Sequence, residues 1–222
     1  MPQTPPFDAV LFDMDGLLLD SERAYMAAFL AALERFGLPR DPELFLSCVG
    51  VRSAETDAIL RPRLEPAVSV SDFRTAWFDG VGELLGGDIP RRPGVDDLLG
   101  RLAAAGVRMG VATSTRTEVA RGRLERSGLA DRFELVVGGD EVTHAKPDPE
   151  IYLELARRMG VDVARCAAFE DSNPGTRAAV ASGAVTVQVP DLTAPTPEIE
   201  ALGHVIAGDI LTGARRIGLI AG

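Results

Sequence analysis

Two carboxylates, Asp13 and Asp15, stand two residues apart in "VLFDMDGLLLDSE", directly behind the apolar run Ala9–Phe12. In a parallel sheet the carboxyl end of such a run opens into the ligand crevice. A carboxylate there can attack an electrophile, and a second one nearby can carry its protons. Gly16 permits the sharp turn that must follow and stands among the candidate substrate-contacting positions. The same pattern also describes an Asx-type turn leaving a strand. A second carboxylate pair, Glu170 and Asp171, ends the run Cys166–Glu170 in "FEDSNPGTRAA". Capping of the following helix by Asp171 or Ser172 competes there with metal binding. Four carboxylates gathered at one sheet edge repel one another unless a cation sits among them, and hard oxygen donors with room for water suit Mg²⁺.

The third element of this chemistry is a single residue. The chain has 23 basic residues, of which only Lys146, in "THAKPDPEIY", is a lysine. Either an arginine-biased composition has left one surface lysine here by chance, or the site needs a compact ammonium where the planar guanidinium fork does not fit. "GVATSTRTEVA" supplies a fourth element. Thr113, Ser114 and Thr115 precede a helical pattern, so hydroxyls and helix-start N–H groups could receive an anion there. Thr115 or Thr117 is equally a candidate helix cap.

Positioning these residues requires a particular scaffold. From residue 89 onward, apolar runs at Val107–Thr113, Leu135–Gly139, Cys166–Glu170, Ala184–Val189 and, weakly, His204–Ala207 alternate with helical patterns. Nearly unbroken apolar strands separated by helices predict an α/β fold, a doubly wound parallel sheet covered on both faces. Residues 17–88 read differently. Met26, Phe29, Leu30 and Leu33 form a helical stripe that Gly37 can end, further helical stretches follow near Ala54–Leu60 and Asp72–Leu85, and no strand-like run recurs. The expected organisation is a core of 1–16 and 89–222 interrupted by an all-helical insertion, 17–88.

Composition removes several alternatives. Of 222 residues, 46% are apolar and 25% charged, as in an ordinary globular chain. The net charge of -10 argues against non-specific nucleic-acid or anionic-membrane binding. Cys48 and Cys166 give neither a disulfide framework nor a CxxC spacing, which suits a reducing compartment. "MPQTPPFDAV" has no basic and apolar leader pattern, so a cytoplasmic location is expected. A monomer or weak dimer is expected, with a small metabolite as the partner.

DMDG with DSE, ATST, AKPDP and EDSNPG, in that order, resemble the four signatures of the haloacid dehalogenase superfamily. The branch they are most similar to contains small phosphatases and β-phosphoglucomutase-like enzymes with a helical cap. The resemblance implies that Asp13 is the nucleophile and forms an aspartyl-phosphate, and that Asp15 is its acid and base. It implies that Thr113 and the Ser114 N–H hold phosphate, and that Lys146 bridges Asp13 and phosphate. Mg²⁺ would be bound by Asp13, the Asp15 carbonyl and Asp171, with Glu170 helping directly or through water. Arg52, in "SCVGVRSAE", and Arg116 are further candidates for a substrate anion, each equally readable as solvated. Trp77 and Phe78 read as core of the helical insertion, and His144 and His204 as structural or loop residues.

The branches separate on residues. Dehalogenases of the superfamily lack the second aspartate, and phosphonate hydrolysis needs a cap lysine that this chain does not have. The mutases carry a cap histidine twelve residues after the nucleophile, where this chain has Tyr25. A Mg²⁺-dependent phosphatase acting on a sugar, polyol or nucleoside-type phosphate is the expectation. A sugar-phosphate mutase and a non-catalytic phosphate-binding module are the alternatives.

Overall fold

A computed structural model describes residues 6–49 and 53–221. The chain divides into two compact units, Met1–Leu19 with Pro90–Gly222, and Asp20–Ile89. Leu17, Leu18 and Leu19 thus stand with the first unit and Ile89 with the second, a shift of a few residues from the boundaries at 16 and 89.

The first unit is built on six strands: β1 (Ala9–Phe12), β2 (Arg108–Ala112), β3 (Leu135–Val137), β4 (Cys166–Glu170), β5 (Val185–Gln188) and β6 (Val205–Ile206). They lie in the order β3-β2-β1-β4-β5-β6 and every pairing is parallel. Successive strands are laid down to one side of β1 as far as β3, and β4 then starts the other side. The order therefore reverses at β1, and a crevice forms beyond the carboxyl ends of β1 and β4. Register fixes which residues meet there. Phe12 pairs with both Val111 and Phe169, so Asp13, Ala112 and Glu170 emerge side by side.

The helical unit contains α1 (Glu22–Arg35), α2 (Pro42–Cys48), α3 (Ser53–Leu64) and α4 (Val70–Leu84). The first unit continues with α5 (Val95–Ala104), α6 (Thr117–Arg126), α7 (Glu150–Met159), α8 (Asn173–Ser182), α9 (Pro197–Glu200) and α10 (Ile210–Arg216). Alternation along each strand sends Ala9, Leu11, Ala168 and Cys166 to a face covered by Ile151, Tyr152 and Leu155 of α7 and Ala178 and Ala179 of α8. Phe12 and Phe169 stack on one another, with ring centroids 5.4 Å apart. Completely buried strands have no polar face to show, which is why these runs read as continuous rather than alternating.

The helical unit is held by aromatic packing. Phe29 lies 5.1 Å from Phe73 and 5.0 Å from Trp77, both edge-on, the geometry that ring quadrupoles favour. The Trp77 indole N–H donates to the Tyr25 carbonyl at 2.9 Å. Phe78 corrects the reading of both aromatics as core. Its ring stacks on Trp77 but is 44% exposed, with the Arg74 guanidinium over it. Helix α2 was not expected from periodicity. Asp41 caps it by accepting from the Leu44 N–H, and Pro42 starts it.

Candidate active site

The turn after β1 is built by its own backbone. Gly16 takes φ 84°, a left-handed conformation that a side chain would strain, and its N–H donates to the Leu19 carbonyl. Leu18 and Leu19 donate back to the Met14 carbonyl, which closes the turn on Asp13 and Asp15. Gly16 therefore shapes the turn with its one backbone donor.

Lys146 gathers the ends of three strands. Its ammonium donates to Asp13 Oδ1 at 2.5 Å beyond β1, to the Ala112 carbonyl at 3.0 Å on β2, and to Glu170 Oε1 at 2.6 Å on β4. All three side chains are buried: 6% of Lys146, 9% of Asp13 and none of Glu170 is exposed. The loop that carries the lysine is fixed by Glu150, which accepts from the Thr143 and His144 N–H groups at 2.8 Å. Helix α7 then places the Tyr152 ring beneath the ammonium, 5.2 Å from its centroid.

Glu170 is more engaged than its sequence position suggests. Oε1 accepts from Lys146 and from the Tyr152 hydroxyl at 2.7 Å, and Oε2 accepts from the Asp171 and Ser172 N–H groups and the Ser172 hydroxyl. Gly175 leaves the room, since a methyl there would lie 2.0 Å from Oε1. Ser172 also caps α8 through the Gly175 N–H. Asp171 is buried beside this network, and its carbonyl accepts from the Gln188 amide, whose oxygen meets His204 Nε2 at 2.9 Å.

The electrostatics follow from burial. Loss of water is the largest influence on Asp13 and pushes its carboxyl up to about 8, with Lys146 opposing and Glu170 adding to the push. Burial alone would lower the Lys146 ammonium, but the attraction of Asp13 and Glu170 overcomes it and holds the pKa above its ordinary value. Burial and the Glu170 charge push Tyr152 well up, so it stays a donor. Asp13, Glu170 and Asp171 each bring a carboxylate oxygen within 4.8 Å of the others. With Asp13 ionised, one ammonium against three carboxylates leaves negative charge, and hard oxygen donors of this kind suit a divalent cation such as Mg²⁺.

Asp15 belongs to a different set of contacts. Its Oδ2 accepts from the Thr115 hydroxyl at 2.7 Å and its Oδ1 from Arg123 Nη1 at 2.7 Å. The Thr115 N–H in turn donates to the Thr113 hydroxyl at 3.1 Å. Thr113 is buried at the end of β2 and Ser114 is exposed in the loop that follows. Capping of α6 comes from neither threonine. The Thr117 N–H and hydroxyl both donate to Asp140 from the loop after β3.

Of the residues singled out in the sequence, the fold thus joins Asp13, Lys146, Glu170 and Asp171 in one cluster and ties Asp15 to the Thr113–Thr115 loop. It does not bring Arg116 there: that side chain is 76% exposed and its ion partner is Asp140 at 3.9 Å. Arg52 lies outside the described residues. Arg123 and Tyr152 were missed. Arg123 sits in the buried stripe of α6 with Ala120 and Leu124, and a charge in an apolar stripe was the available signal.

The chain is similar to proteins of one family. The family profile described as haloacid dehalogenase-like hydrolase matches residues 10–189. The chain is 35% identical over 176 residues to a phosphorylated carbohydrates phosphatase of Thermotoga maritima, covering 79% of this chain and 82% of that one. It is 31% identical over 191 residues to a fructose-1-phosphate phosphatase of Escherichia coli, covering 82% and 96%. A crystal structure of CbbY from Rhodobacter sphaeroides in complex with xylulose-1,5-bisphosphate superposes with a TM-score of 0.71 at 27% identity, covering 91% of this chain and 94% of that one. The chain belongs to the haloacid dehalogenase-like hydrolases and is a phosphoric monoester hydrolase of that family.

Proposed function

We propose that this chain is a Mg²⁺-dependent phosphatase of small phosphorylated sugars or polyols, working through an aspartyl-phosphate on Asp13. The observation that carries the reading is the buried contact of the lone lysine with Asp13 at 2.5 Å and Glu170 at 2.6 Å. A carboxylate approaching a phosphate dianion is repelled by several kcal/mol, by order of magnitude, at an effective dielectric near 20. Lys146 offsets that repulsion beside the attacking carboxylate. Asp13, Asp171 and the Asp15 carbonyl are the groups assigned to hold the ion, which when bound neutralises charge on the phosphate oxygens. Glu170 is assigned to anchor Lys146, because both its oxygens already accept from the chain.

The remaining roles follow position. Thr113 and the Ser114 N–H receive the other phosphate oxygens beside the start of α6. Asp15 gives a proton to the leaving oxygen and takes one from the water that opens the acyl phosphate. The helical unit is read as the cap that admits substrate and excludes water, with Arg52 its candidate anion contact. The named substrates of the relatives favour sugar phosphates over nucleoside-type ones. No helix of the described residues is long and apolar enough to cross a membrane, and a cytoplasmic site of action is part of the proposal.

Turnover of a panel of sugar, polyol and nucleoside monophosphates, with and without EDTA, tests this reading. Phosphate release that EDTA abolishes and Asp13→Asn removes is the expected result. Turnover that persists in Asp13→Asn overturns the nucleophile assignment. Conversion of β-glucose 1-phosphate to glucose 6-phosphate with a bisphosphate primer would make the chain a mutase instead.

A further inference from the structure

Arg123 stands in none of the roles assigned above, yet it is the most deeply buried guanidinium among the ion pairs resolved in the α/β unit. Its side chain is 6% exposed, against 58% for Arg165, 48% for Arg101 and 71% for Arg157, which hold carboxylates at the surface. A charge is rarely buried without a partner, and a buried pair is a poor source of stability compared with apolar packing. Its partner is Asp15, 108 residues earlier, met at 2.7 Å.

The contact is one link of a chain. Arg123 Nη1 meets Asp15 Oδ1, the Thr115 hydroxyl donates to Asp15 Oδ2, and the Thr115 N–H donates to the Thr113 hydroxyl. Arg123 comes from α6 and Thr115 from the loop that precedes it, so one rigid segment grips both oxygens of the carboxylate. Two donors on two oxygens fix both the position and the plane of a carboxylate. An ionised carboxylate has about four acceptor positions, so the grip is compatible with proton exchange at the same group. The gripping segment also contains Thr113 and Ser114, the positions assigned to phosphate. The orientation of Asp15 is therefore set in the frame of the loop that would hold the transferring group. Orientation of this kind matters to rate, because a proton must pass along a short, aligned path.

We propose that Arg123 is a positioning residue: with the Thr115 hydroxyl it fixes the Asp15 carboxylate in register with the phosphate loop, so that Asp15 meets the leaving oxygen. This rests on the phosphatase reading and on the part given there to Asp15. The role predicts a dependence on the leaving group. An alkyl phosphate needs a proton donor as its alkoxide departs, whereas a nitrophenyl phosphate departs without one.

The test compares kcat/KM of wild type, Arg123→Met, Arg123→Lys and Asp15→Asn on a sugar phosphate and on p-nitrophenyl phosphate. Arg123→Met is expected to lose roughly 10- to 100-fold on the sugar phosphate, a part of what a general acid contributes, and a few-fold or less on the aryl ester. Arg123→Lys should recover part of the loss. In an Asp15→Asn background, Arg123→Met should cost nothing further, because the group it positions is gone. Thermal melts identify folded variants, and Arg123→Lys carries the comparison if Arg123→Met does not fold. Equal losses on both esters, or the same loss in the Asp15→Asn background, make Arg123 merely structural and overturn the proposal. An unchanged Arg123→Met overturns it alone, while a wild type that hydrolyses neither ester overturns the phosphatase reading with it.

Discussion

The two units of this chain both pair charges at the surface, but among the described residues only one is seen to bury them as well. In the helical unit, ion pairs such as Arg61–Glu65, Arg40–Glu34 and Arg63–Asp41 lie with at least 30% of each side chain exposed. Its interior is aromatic, with Phe29, Phe45, Phe73 and Trp77 in mutual contact. In the α/β unit, the end of the sheet buries Lys146 with Asp13 and Glu170, and buries Arg123 against a partly exposed Asp15. Exposed pairs contribute about 0–1 kcal/mol, whereas buried charges cost several kcal/mol each in lost hydration before their attraction offsets it. A fold that needed only stability would place apolar side chains where Lys146 and Arg123 lie. One unit fills its interior with apolar packing, and the other buries there the charged groups to which the proposed chemistry is assigned.

Breaking the buried set should therefore produce the largest effects. Lys146→Ala leaves Asp13 and Glu170 buried without their ammonium. It should cost about 3–5 kcal/mol in stability, read by urea unfolding, and abolish most turnover. Tyr152→Phe removes one hydrogen bond to the charged Glu170 carboxylate. A loss of about 1.5–3 kcal/mol is expected by the same measurement, with a smaller fall in kcat because Lys146 keeps its other partners. If Tyr152→Phe matched Lys146→Ala in activity, the lysine would owe its position to the tyrosine more than to Asp13.

Two milder changes sharpen the contrast. Burial lowers the His204 pKa below its ordinary 6.5, so the folded chain binds fewer protons there than the unfolded one. Its contribution to stability is complete above about pH 6.5 and is lost as pH falls through the depressed value. Unfolding midpoints at pH 5.5 and 7.5 should differ less in His204→Gln than in wild type. At the bottom of the order, Arg61→Ala in the helical unit should change stability by no more than about 0.5 kcal/mol. A loss as large as that of Tyr152→Phe would erase the distinction between the units.

Much of this was legible in the sequence, for identifiable reasons. Strands buried on both faces betray themselves as apolar runs, and β1 and β4 lie at the expected residues 9–12 and 166–170. The acidic and hydroxyl motifs each followed a strand-like run, and the lysine stood in a Pro-punctuated loop. What escaped depends on partners far apart in the chain. Nothing near Arg123 indicates that it meets a residue 108 positions earlier, and the more visible Arg116 lies exposed beside Asp140 instead. Nothing near Glu170 shows that Tyr152 and Lys146 share one of its oxygens, so the sequence offered it only as a helper to the metal, directly or through water. Helix α2 was missed because seven residues make too short a stripe for periodicity to register.

The proposed chemistry requires Asp13 to carry the phosphoryl group during turnover. Acid quenching of the enzyme in the steady state with a sugar phosphate, borohydride reduction and peptide mass mapping reads that directly. Conversion of Asp13 to homoserine, dependent on substrate and absent from Asp13→Asn, is the predicted result. Undiminished turnover with Asp13 unmodified, or the reduction product at another residue, would contradict it.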